Sequence, residues 1–319
     1  MCLLSCGDRE QYHIDVENQE PVTIVRFDSL LTHFNQQEDT LVQRAIADSV
    51  GYFWYAYNSY LLRGEDAPLF REGVQNFLND SLISILYADA QEAFADMSAE
   101  SEALALLSAR YQSLFPDKAV PIFQAHVSGL QMPISSIDSL VSISIDCYLG
   151  AGYHMYASRY FQYELPGHER SCIVADAGEV LLRNALKYPR GGSLLDMMIY
   201  EGRLLYLLSA LVDDNSALTL LDYTPEQENW CIENEGKIWT TIIEQKDLFT
   251  FDNITIRKYT RQAPFTAPVS QDSPGRLGCW VGWRIMQSYA QKNNMTPYDI
   301  IGDTKSPTEI LQLSGYNVR

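Results

Sequence analysis

The sequence has no apolar run long enough to cross a bilayer. A spanning helix needs about 20 consecutive apolar residues, and the longest candidates are interrupted by Glu201, Arg203 or Arg284. Basic residues are scarce: 23 Lys and Arg stand against 41 Asp and Glu, a formal net charge of -18. That field repels phosphate backbones and anionic headgroups at long range, which excludes nucleic acid as a partner. The six cysteines form no CxxC or other metal-ligand spacing. The five histidines, His13, His33, His126, His154 and His168, form no HxxxH or HxH pair. A histidine-built metal site would need distant residues to converge, so single satisfied histidines are the simpler reading. No GxSxG elbow, phosphate-binding glycine loop or dinucleotide fingerprint is present, so nucleophilic and nucleotide chemistry have no support. Internal repeats and low-complexity tracts are absent as well.

What is present is enough to build a large core. The 319 residues are 46% hydrophobic and 12% aromatic, which predicts one globular domain over residues 22–319. Residues 1–21 read differently. Leu3, Leu4, Ser5 and Cys6 have the order of a bacterial lipoprotein box, with apolar and small residues directly before a cysteine and the polar Gly7, Asp8 and Arg9 after it. The pattern predicts lipidation at Cys6, with a polar tether running to Pro21. Five residues before Cys6 are too few for the charged start and about 7–15 apolar residues of a signal peptide, which points to a clipped or misassigned start. The alternative is a chance LLSC in a cytoplasmic chain. Four cysteines, Cys147, Cys172, Cys231 and Cys279, lie in apolar stretches that suit buried free thiols; a disulfide of the Cys147 to Cys172 type is the alternative for an oxidising compartment.

Periodicity predicts a predominantly helical α+β fold with a small sheet. Strand patterns occupy 22–27, 120–127 and 140–146. In the last, Val141, Ile143 and Ile145 alternate with Ser142, Ser144 and Asp146, so one face should be buried and the other polar. Helical patterns cover 38–62, 69–78, 81–94, 99–115, 175–186, 193–212, 225–244 and 278–291. The aromatic run GYFWYAYNSY within the first reads as a core face. Gly278 and Gly282, four apart, allow another helix to approach closely.

One segment carries a chemical question. IYEGRLLYLL, residues 199–208, sets Glu201 and Arg203 inside an apolar run. A zinc-protease helix places His, Glu and His at positions one, two and five, two ligands on one face beside a general base. Tyr200, Glu201, Gly202, Arg203 and Leu204 occupy those places. Glu201 suits the base, but Tyr200 is a poor zinc ligand and Leu204 offers no lone pair. A strand at 140–146 before this helix, and Glu233 and Glu235 after it, suggest a zincin-like single domain that has lost its metal.

Four stretches carry a closer resemblance: IVRFDSLL at 24–31, SISIDCYLGAGY at 142–153, SLLDMMIYEGRLLYLLSALV at 193–212 and APFTAPVSQDSPGRLGCWVGWRIMQSYAQKN at 263–293. In order and spacing they resemble the gliding-motility lipoprotein GldB family of Bacteroidota, from Thr23 to Tyr316. The family's own YEGK-type helix is similar to Tyr200, Glu201, Gly202 and Arg203. A further similarity is to predicted zinc proteases that keep both histidines. The resemblance implies a lipoprotein attached to the cell-envelope membrane, facing the periplasm or the surface, with protein partners in the gliding and type IX secretion machinery. It implies neither a cofactor nor an established catalytic activity.

Glu201 in an apolar helix must be paired, because an isolated buried carboxylate costs several kcal/mol. A structural ion pair with Arg276 or Arg284 is the first reading, a ligand contact the second and a catalytic base the third. Arg276, in the turn Ser273-Pro274-Gly275-Arg276, reads as a carboxylate clamp. Tyr200, Glu201, Leu204, Glu233, Asp146 and Arg276 are thus the candidate cleft residues. The leading expectation is a non-catalytic envelope protein that binds a component through this cleft. The alternatives are a hydrolase with an atypical site of Glu201, Glu233 or Glu235 with Asp146, and a scaffold whose cleft is filled by side chains.

Overall fold

The computed structural model describes residues 13–17, 19–36 and 67–317. The expected helix at 38–62 and Cys6 both lie outside them. A short strand β1 (Ile24–Arg26) leads into α1 (Phe27–Gln36), followed by α2 (Ala67–Asn79), α3 (Ser81–Ala93) and α4 (Ser98–Leu114). Three strands come next, β2 (Ile122–His126), β3 (Ile134–Ile137) and β4 (Leu140–Ser144). They form a mixed sheet in the order β1-β2-β4-β3, parallel except for the antiparallel β3 at one edge. The helices α5 (Ile173–Ala185) and α6 (Leu194–Val212) follow, α5 packing on β3, β4 and α6. The fold is therefore helical α+β with a small sheet, as the periodicity predicts.

The polar face of β4 is not exposed. Ser142 and Ser144 are buried, as is Asp146 in the 3-10 turn Ile145–Cys147 that ends the expected strand at Ser144, because a strand enclosed on both faces can keep polar side chains only if they are satisfied. Gln124 Nε2 donates to Ser142 Oγ at 2.9 Å, and Ser142 Oγ lies 2.8 Å from His126 Nδ1. Burial pushes the His126 imidazole down to about 3, so it is neutral. Asp146 accepts from Ser144 Oγ and from the backbone N–H groups of Ser128 and Leu130, which ties down the loop after β2.

The C-terminal half is α7 (Ala217–Leu221), α8 (Pro225–Glu233), α9 (Glu235–Glu244), α10 (Asn253–Thr260), α11 (Leu277–Asn293), α12 (Pro297–Gly302) and α13 (Pro307–Ser314). The expected continuous helix at 225–244 breaks at Asn234, whose side-chain amide donates to the Trp230 carbonyl and competes with the helix ladder. At the centre lies α6, buried almost all round, as a helix apolar on every face must be. A capping box of Ser193 and Asp196 starts it.

The crossing of α6 and α11 is made at glycines. A methyl group at Gly282 would collide with the Met198 carbonyl, and one at Gly202 with the backbone of Gly282. Gly278 lies against Tyr259 of α10 in the same way. The Gly278 and Gly282 spacing thus serves close packing between helices.

Because backbone meets backbone there, a single added carbon must push the two helices apart. Gly282→Ala is expected to lower stability by about 3 kcal/mol, measured as a shift in the urea midpoint. A loss no larger than that of an exposed substitution would show that the crossing can relax.

Candidate functional site

A cavity of about 740 Å³ lies where α5, α6, α10 and the start of α11 meet the 188–192 loop. Its chemistry centres on Arg183. On α5, Glu179 and Arg183 stand one helical turn apart, and Arg183 Nε donates to Glu179 Oε1 at 2.8 Å. Across the interface, Arg183 Nη1 and Nη2 donate to Glu201 Oε1 and Oε2 at 3.0 and 2.8 Å. One guanidinium thus holds two carboxylates, with a bidentate fork on Glu201. Burial works against its charge, but the bonds to Glu201 and Glu179 hold the Arg183 pKa above its ordinary value.

The expected partners of Glu201 are corrected by this geometry. Arg284 is engaged elsewhere, its Nε donating to Glu235 Oε1 at 3.0 Å, and Arg276 faces the cavity without pairing to Glu201. Arg183 lies 18 residues upstream on a different helix. Only the packing of α5 on α6 brings it to Glu201.

Arg276 is the second feature. It precedes α11 in a left-handed conformation, φ 59°, which residues other than glycine adopt uncommonly. The surrounding turn is held firmly: Tyr223 Oη donates to the Gly275 carbonyl, and Thr266 bonds Pro274 O through both its backbone N–H and its hydroxyl. Burial opposes the Arg276 charge, while Cys279, Glu179, Asp222 and Glu201 together raise its pKa. Behind it, burial pushes Asp222 up to about 6, with Glu179 adding and Arg276 opposing. Burial and Asp222 also raise Asp176, which accepts a 2.6 Å hydrogen bond from Tyr148 Oη.

Of the candidate cleft residues, Glu201 and Arg276 line this cavity. Tyr200 sits at its edge, its ring edge-to-face with Tyr188 at 5.3 Å. Leu204 is fully buried in the core, and Glu233 is exposed at the end of α8. Asp146 is committed to the β2 loop, and Glu235 accepts from Tyr316 Oη as well as Arg284. The structure does not bring these carboxylates together. Among the described residues no group of three or more His, Cys, Asp or Glu side chains is placed to hold a metal ion. Cys147, Cys172, Cys231 and Cys279 are free thiols, so the alternative Cys147–Cys172 bridge is not formed. Burial pushes Cys147, Cys172 and Cys279 up to about 12, which keeps them unreactive.

Compared with known families, residues 9–318 match the model of the family described as gliding motility protein GldB. The chain belongs to the GldB family. No curated protein and no solved structure matches it significantly, so the likeness to zincins gains no support from that quarter. The match spans both halves of the cavity, from α5 to α11. Sequence reading misses Glu179 and Arg183, the residues that make Glu201 intelligible. Their one-turn spacing inside the otherwise apolar GEVLLR is the signal that could have found them.

Two measurements probe this network. Arg183→Met strands both carboxylates and is expected to cost about 2–3 kcal/mol, below the figure for a fully buried pair because Arg183 keeps solvent contact. Glu201→Gln leaves an amide oxygen for Arg183 and should cost about 1 kcal/mol. Equal urea midpoints for the two variants would show that the fork contributes little. The second measurement is pH-dependent. The folded protein binds the Asp222 proton more tightly than the unfolded chain, so stability falls as pH rises from about 4 to about 6. Asn tolerates the left-handed backbone that Asp222 adopts, φ 55°. Asp222→Asn should flatten that part of the decline, gaining about 1–2 kcal/mol above pH 6 and nothing below pH 4. Parallel stability profiles for the two proteins would count against it.

Proposed function

We propose that this GldB-family protein is a lipid-anchored, non-catalytic component of the cell envelope that serves the gliding and type IX secretion machinery by engaging an envelope partner at the α5–α6–α11 cavity. Two things support anchoring: the family's lipoprotein character and Cys6 in its LLSC context.

The observation that carries the non-catalytic reading is the Arg183 fork. Both oxygens of Glu201 and one of Glu179 accept hydrogen bonds from the same guanidinium. A general base needs a free lone pair within reach of a substrate proton, and Glu201 has its best acceptor directions occupied. The protein's own cation stands between the two carboxylates. An open cavity argues against a scaffold whose cleft is filled by side chains. Phe251 and Ile254, 69% and 67% exposed, flank the lining residue Asn253 and give the mouth an apolar lip suited to a partner surface.

The test is complementation of a deletion strain. Wild type should incorporate labelled fatty acid and restore spreading or secretion. Cys6→Ala should do neither, and a folded Phe251→Ala/Ile254→Ala variant should be labelled yet fail to complement. Equal labelling of Cys6→Ala would refute the anchor, and full complementation by the lip variant would refute the docking site. Stoichiometric zinc that only chelators remove, together with Glu201-dependent hydrolysis, would overturn the non-catalytic reading.

A further inference from the structure

The cavity's charge has the opposite sign to the chain's. Four guanidinium groups line it, Arg183, Arg257, Arg261 and Arg276, against the carboxylates Glu179 and Glu201 and, behind Arg276, Asp222, so cations still outnumber carboxylates. The chain as a whole carries -18. Charges beyond about 8 Å are largely screened at physiological salt, so the distant acidic surface does not cancel the cavity's local field.

Arg183 is consumed by its two carboxylates, whereas Arg276 feels Glu179, Asp222 and Glu201 without forming a salt bridge to any of them. Among the described residues, Arg257, Arg261 and Arg276 have no salt-bridge partner. Arg276 is part-buried, and the turn that presents it is clamped by Thr266 and Tyr223 in a conformation that an arginine adopts only under constraint. Its position also sets it at the positive end of the 17-residue α11. Arg257 and Arg261, exposed in the last turn of α10 and just after it, stand at the rim. An unpaired guanidinium held in place inside a cavity leaves a planar set of donors facing solvent, the geometry that binds carboxylate or phosphate in two-point fashion.

We infer that the cavity is a binding site for a small oxyanion, a soluble compound bearing a carboxylate or phosphate, with Arg276 as the inner clamp and Arg257 and Arg261 as the outer one. A volume of about 740 Å³ suits a small molecule and not a polymer. This goes beyond the reading of the mouth as a docking place: the partner surface meets the lip of Phe251 and Ile254, and the small anion enters the cavity behind it.

The test is calorimetric titration of the full chain with citrate and with inorganic phosphate, at constant ionic strength against sodium chloride. Saturable binding of either probe, accompanied by a rise in melting temperature, supports the site, and the tighter of the two tells carboxylate from phosphate. Arg257→Gln/Arg261→Gln removes exposed side chains without internal partners, so its fold should be intact, and it should weaken binding by about tenfold or more. Arg276→Gln should abolish binding. If neither probe binds beyond the chloride control, or if the double variant binds as tightly as wild type, the inference falls. Those outcomes are separate from fatty-acid labelling and zinc content, which judge the anchoring and non-catalytic readings.

Discussion

The close approach of α6 and α11 at Gly202 and Gly282 fixes where everything else in the C-terminal half can stand. With no side chain between them, the two backbones form a rigid cross at the centre of the core. Glu201 is the residue before Gly202, so its position follows from the crossing. Arg276 immediately precedes α11, so the clamp is placed by the other arm of the same cross. Gly278 then sets α10 against α11, and α10 brings Arg257 to the cavity rim. A cavity whose opposing walls descend from one backbone contact has little freedom to change width.

Against that fixed frame, Arg183 answers the problem of a carboxylate in an apolar helix. Glu201 could be tolerated by protonation, by a metal ion or by a protein cation. The chain uses the last, and shares one guanidinium between Glu201 and Glu179. The bidentate geometry offsets much of the desolvation cost, and solvent contact at Arg183 lowers that cost further. The consequence is chemical as well as structural. Acceptors that could take a proton or a metal are directed into the ion pair, while the guanidinium groups without such partners are left facing the cavity.

How much of this is legible in the sequence depends on whether a signal is local. The main helices are legible from apolar spacing, and β2 and β4 from their alternation. The periodicity of β4 cannot tell a solvent-facing serine row from a buried one, because that depends on what covers the sheet. The edge strand β3, with Ser135 and Ser136 between two isoleucines, is too short to stand out. Helices α12 and α13 are announced by TPYD and SPTE, both capping boxes with proline at the first helical position, a local signal that apolar spacing passes over because the helices are short. Glu201 and Arg276 stand out as charges in apolar or turn settings. The partner of Glu201 does not, since Glu179 and Arg183 read as an ordinary surface pair until α5 is docked on α6.

The same distinction separates global charge from local charge. Net charge is additive along the chain, and an excess of acidic residues bears on a polyanionic partner that would span the molecular surface. It says nothing about a cavity a few ångströms across, where three-dimensional placement decides which charges lie within a Debye length of one another. Here the four guanidinium groups of the cavity come from α5, the α10 segment and the turn before α11, separated in sequence by as many as 93 positions between Arg183 and Arg276. Their convergence requires the glycine crossing, so the local field is a property of the fold. An acidic protein with a cationic cavity is consistent on these terms: the net charge of -18 acts over the whole surface, and the cavity leaves guanidinium donors for a small anion that can enter.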